Sequence, residues 1–145
     1  MGKSYIGDIP NTHIRDFQRK RLYQAEERCG FWNTVDVLSY KEVKALINQI
    51  SIWADIKSPQ ILDEGHTLVY ATQNTISLPY PVTKTLPYIL HEMSHVINYN
   101  STNADHHGKH FTTTYLQVVK EFIGLPAKEE LEQSFKKEMV QYLTI

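Results

Sequence analysis

His91-Glu92-Met93-Ser94-His95 places two imidazoles four residues apart, with a carboxylate directly after the first. On a helix, residues i and i+4 share a face, so both rings can reach one metal ion. Neutral imidazole nitrogens at about 2.0–2.1 Å suit Zn2+, which takes nitrogen and oxygen ligands in tetrahedral geometry. Glu92 follows His91 by about 100° around the helix axis, which sets it beside the metal without making it a ligand. The metal would bring the pKa of a bound water toward about 7, and Glu92 would act as general base during attack on a carbonyl. With seven His and ten Glu in 145 residues, random order yields this pattern about 0.02 times per chain.

Two histidines and a water leave one position for a third protein ligand. His106, His107 and His110 follow His95 by 11, 12 and 15 residues, past a polar loop that would turn the chain back. His107 is favoured, because His107-Gly108-Lys109-His110-Phe111 has the form H-G-x-x-F at the start of the next helix. Gly108 would allow close approach of the backbone to the metal, and Phe111 would anchor the helix in the core. His106, His110 and a downstream carboxylate such as Glu121 stay open as alternatives. The metzincin pattern is excluded, since it needs Gly at 98 and His at 101, where this chain has Asn98 and Ser101.

The elements that must position these residues are legible in outline. Residues 12–28 form a first expected helix, with Ile14, Phe17, Arg21/Leu22 and Ala25 as its stripe and Gly30 as its stop. Its basic residues, Arg15, Arg19, Lys20, Arg21 and Arg28, are offset by Asp16, Glu26 and Glu27 and read as a solvated face. Ser39 followed by Glu42 is a capping box for a second helix bearing Val43, Leu46, Ile47, Ile50 and Trp53. Ser58-Pro59 and Asp63-Glu64-Gly65 punctuate the chain. Residues 67–72 and 75–78 predict strands around a Gln73-Asn74 turn. Pro87 suits the first turn of a third helix reaching Tyr99, in which Ile89, Met93, Val96 and Ile97 face the core and the histidine pair lies elsewhere. A fourth helix is expected at 108–123, closed by Gly124, and a fifth from Pro126 to Tyr142. Helices before and after a small sheet predict an α+β fold, with residues 1–145 as a single domain.

Composition narrows the partners. Fifteen basic and sixteen acidic residues give a formal net charge of −1, which argues against a polycation built for nucleic acid or anionic membrane. No apolar run approaches the roughly 20 residues of a membrane span. Met1-Gly2-Lys3-Ser4-Tyr5-Ile6 lacks the apolar core of a signal peptide, so a cytoplasmic setting is expected. Cys29 alone cannot form an internal disulfide or a two-thiolate site. His13 and His66 read as ordinary surface residues, and Tyr115 as a core or rim tyrosine.

Taken together, H-E-x-x-H followed by H-G-x-x-F resembles the minimal zinc-dependent metallopeptidases of the zincin class, the SprT-like proteases in particular. A second similarity, to small bacterial and phage metallohydrolases, runs through Arg15-Asp16-Phe17-Gln18-Arg19 and Leu22-Tyr23-Gln24-Ala25-Glu26. The resemblance implies a minimal zincin-like fold with the motif on a central helix. It also implies one zinc on His91, His95 and His107, and Glu92 as base. A further implication is that the strand near Ile76 to Leu78 borders the cleft and pairs with an extended substrate. SprT-like proteins often carry a cysteine-rich zinc ribbon, which Cys29 alone cannot build. The expected function is thus a zinc-dependent hydrolase acting on a peptide or protein. The competing reading, from the basic first helix and the SprT-like motifs, is a nucleic-acid-associated or interaction module with a structural zinc.

Overall fold

Among the described residues, four of the five helices begin or end where local chemistry dictates, and they set the frame around the motif. The computed structural model describes residues 16–34, 36–63 and 68–144. Outside these lie His13, Ile14, Arg15, Glu64, Gly65, His66, Thr67, the N-terminal hexapeptide and residues 12–15 of the first expected helix. Helix α1 spans Arg19–Glu27 and α2 spans Tyr40–Ala54. Strands β1 (Gln60–Leu62), β2 (Tyr70–Ala71) and β3 (Thr75–Ser77) follow. Helices α3 (Leu86–Tyr99), α4 (Lys109–Phe122) and α5 (Leu125–Lys137) complete an α+β arrangement.

The capping box of α2 is realised in both directions. Glu42 N–H donates to Ser39 Oγ at 3.2 Å, and Ser39 N–H donates to the Glu42 carboxylate at 2.9 Å. Two donors that the helix itself leaves orphaned are thereby satisfied. Prolines sit in the first turns of α3 and α5, where a missing N–H costs nothing. Gly124, between α4 and α5, adopts φ 142°, a conformation that side chains disfavour.

Three sequence expectations are corrected. Residues 16–18 precede α1 as a turn, and Phe17 is 68% exposed instead of packing on the stripe. The fifth helix ends at Lys137, because Met139 takes a left-handed φ of 59° and Val140 N–H returns to the Phe135 carbonyl. A strand not foreseen, β1, pairs parallel with β3 (Ile61 beside Ile76), while β2 pairs antiparallel on the other side (Ala71 beside Ile76). The strand at 75–77 is therefore central, with both edges occupied, and an extended substrate cannot pair with it as the resemblance implied.

One apolar core joins every helix to the sheet, drawing on Leu22, Ile47, Ile76, Met93, Phe111 and Phe135 among others, all fully buried. Burying a side chain of this size contributes about 1.5–3 kcal/mol. Within this core α3 is covered nearly all round: from Pro87 to Val96 every residue is buried. The expected division of α3 into a core face and a separate histidine face is thus replaced by burial on both, with α4 the neighbour it contacts most. Among the described residues no helix is long and apolar enough to cross a membrane.

Candidate metal centre

Helical spacing puts His91 and His95 on one face of α3, and the loop after α3 delivers His107 immediately before α4. One ring nitrogen from each of His91, His95 and His107 lies within 4.8 Å of the others, and all three residues are buried. His95 Nε2 and His107 Nε2 are 3.0 Å apart. Ligand nitrogens on a tetrahedral zinc, with bonds of about 2.0–2.1 Å, stand roughly 3.4 Å from one another. The group therefore needs only small ring movements to hold an ion.

Two of the rings are held from behind. His91 Nδ1 is 2.5 Å from Glu26 Oε2, and His107 Nδ1 is 2.6 Å from Asp16 Oδ2. Each carboxylate accepts the Nδ1 proton, which leaves Nε2 with its lone pair facing the cluster. His95 differs, because its Nδ1 is buried with no hydrogen-bond partner among the described residues. Burial, reinforced by the neighbouring His107, His91 and His106 rings, holds the His95 imidazole well below its ordinary pKa. It is accordingly neutral, the state a metal ligand requires.

Aromatic rings pack the cluster. Phe111 stacks on His95 with centroids 4.2 Å apart, and Tyr23 meets His107 edge-on at 5.4 Å. Tyr115 donates its hydroxyl to Glu26 at 2.6 Å and receives the Trp32 indole N–H at 3.0 Å. Its phenol is pushed well above the usual range by burial and then by the Glu26 charge. Glu92, in α3 beside His91, is fully buried. Burial first, then the charges of Glu26 and Glu92, pushes the Tyr88 phenol up to about 12.

The alternatives for a third ligand lie outside the group. His106 turns to Tyr99, with its Nδ1 3.0 Å from the hydroxyl, on a left-handed backbone of φ 56°. His110 offers its backbone N–H to Asp105, and Glu121 is exposed. Gly108 has a different task from the one expected. A Cβ there would lie 2.6 Å from the Asp105 carboxylate, which accepts from His110 N–H at 2.8 Å and Phe111 N–H at 3.0 Å. The glycine makes room for the group that caps α4, which in turn fixes the approach of His107.

Sequence reasoning missed Asp16, Gln18, Glu26, Tyr115 and Trp32 as parts of this site. Gln18 donates to the His107 carbonyl at 2.9 Å and also binds the backbone of Gln141. A signal existed for Glu26. It falls four residues after Leu22 on the buried stripe of α1, where an acid needs a partner. Charge balance along α1 alone instead places it on a solvated face. The chain matches no family model, no curated protein and no solved structure.

Proposed function

We propose that the protein is a zinc-dependent hydrolase of the zincin type whose substrate is a peptide or protein. The observation that carries this reading is the convergence of His91, His95 and His107 around one point, with Glu92 buried on the same helix. Three imidazole nitrogens are a donor set that zinc accepts while leaving a fourth position open. Zinc held there would supply Lewis acidity toward a carbonyl and a water molecule. The chain's own residues do the remaining work. Glu92 takes a proton from the attacking water at a carboxylate oxygen and returns it to the departing amine. Asp16 and Glu26 keep two ligand rings in one tautomer, and Phe111 and Tyr23 exclude bulk water around the rings.

A carboxylate at position 92 supports catalysis over a purely structural ion, since a structural site has no use for a base. Burial favours the second reading, a closed structural site: His91, His95 and His107 are exposed by only 0%, 4% and 1%. The basic residues that suggested nucleic acid give less support, because Arg28 is paired with Glu138 at 2.5 Å. Elemental mass spectrometry on protein purified without a histidine tag or added metal tests the centre. About one zinc per chain, lost in His91→Ala and His107→Ala, is expected. Glu92→Gln should keep the zinc and lose hydrolysis of an unstructured protein such as casein. Equal hydrolysis by that variant would sink the assigned mechanism, and zinc without hydrolysis by the wild type would favour the structural reading.

A further inference from the structure

Helix α1 gives no ligand atom to the histidine group, yet residues 16–26 grip two of its three members. Asp16 holds the His107 ring, Gln18 holds the His107 carbonyl, and Glu26 holds the His91 ring, at 2.6, 2.9 and 2.5 Å. Asp16 and Gln18 lie just before the helix and Glu26 in its last turn, so the segment is fastened to the site at both ends. We propose that this segment is the positioning element of the metal centre, with Glu26 and Asp16 as positioning residues that set metal affinity. By linkage, metal occupancy then fastens residues 16–27 onto α3 and α4. The proposal rests on the metal-centre reading and extends it to residues that touch no metal.

The argument is one of preorganisation. An imidazole ligates only through the nitrogen that lacks a proton, and a carboxylate on the other nitrogen fixes both tautomer and ring direction. The two carboxylates are not equivalent. The Glu26 side chain is fully buried and shared with Tyr115, which Trp32 holds in place. The Asp16 side chain is 22% exposed, so water competes for it. Coupling is reciprocal: whatever the segment adds to metal affinity, the metal adds to docking of the segment.

Zinc affinity measured by chelator competition tests this, on wild-type protein and on Glu26→Gln, Asp16→Asn and Tyr115→Phe, with circular dichroism as the check on folding. Glu26→Gln is expected to weaken binding about 10- to 100-fold. Asp16→Asn should weaken it less, and Tyr115→Phe least, because that variant keeps the Glu26 charge. In hydrogen exchange, zinc should slow the amides of 19–27 more than those of α2, which carries neither a member of the histidine group nor a carboxylate that holds one. Unchanged affinity in folded Asp16→Asn and Glu26→Gln would overturn this proposal alone. Should Glu26→Gln fail to fold, Asp16→Asn and the exchange measurement still decide. A wild-type chain that takes up no zinc would overturn both this proposal and the metal-centre reading.

Discussion

The inner and outer halves of the histidine cluster use the same chemistry in opposite surroundings. On the inner side, His91 and Glu26 have side chains that are both 0% exposed, and the chain of hydrogen bonds continues to Tyr115 and Trp32. On the outer side, His107 faces Asp16, whose carboxylate reaches solvent, and the supporting bonds come from Gln18 and the C-terminal segment. Thr112 joins that outer set by donating to the Gln141 carbonyl at 2.6 Å. A carboxylate that reaches water can lose its donor cheaply, whereas a buried carboxylate that loses a partner is costly. The difference teaches that the geometry of the histidine rings and the stability of the fold are entangled on the inner side and separable on the outer one.

The largest expected contrast is between His91→Ala and His107→Ala in metal-free protein. His91→Ala takes a donor from a fully buried carboxylate and should cost about 3–5 kcal/mol in urea denaturation. His107→Ala should cost less, about 2 kcal/mol, because it also empties a buried ring site but leaves Asp16 free to turn to water. Equal costs would erase the distinction between the halves.

Tyr115→Phe is the next step down, at about 1–3 kcal/mol near neutral pH, because the Trp32 N–H and Glu26 lose the hydroxyl between them. The same variant sharpens the comparison in alkali. A phenol whose folded pKa lies above its unfolded value of 10.0 keeps its full contribution below pH 10 and loses it as pH rises toward the folded pKa. Wild-type protein should therefore lose stability above about pH 10 more steeply than Tyr115→Phe, as thermal melts across that range would register. Parallel slopes would show that Tyr115 is not a buried member of the inner half.

Ser39→Ala gives the smallest effect and serves as the control outside both halves. Losing the cap of α2 should cost about 1 kcal/mol and leave zinc affinity untouched. A shift in affinity would mean that the metal centre responds to global stability instead of to its own supports.

The same contrast accounts for what was legible in the sequence. The limits of α2, α3 and α4 follow from Ser39 and Glu42, Pro87 and Gly124, all local signals. The clustering of His91, His95 and His107 was also within reach, because two are one helical turn apart and the third lies just past a loop. Their carboxylate partners were not, since Glu26 stands 65 residues from His91 and Asp16 stands 91 residues from His107. Only tertiary packing brings such pairs together. Strand β1 escaped for another reason: three residues, Gln60-Ile61-Leu62, carry no period, and their pairing with β3 decides their state. The over-long first and fifth helices came from apolar residues, Phe17 and Tyr142, that lie beyond the hydrogen-bonded turns.

The placement of the chain's two tryptophans has an optical consequence. Trp32 is 9% exposed with its ring 6.2 Å from His91, whereas Trp53 is 41% exposed and packs edge-on against Phe122. One indole thus sits in the apolar wall of the cluster and the other at the surface. Cobalt seated among the histidines would quench the shorter-wavelength emission of Trp32 by energy transfer, while iodide in solution would reach Trp53 first. The molecule carries its own pair of reporters, one for the occupancy of the cluster and one as its internal reference.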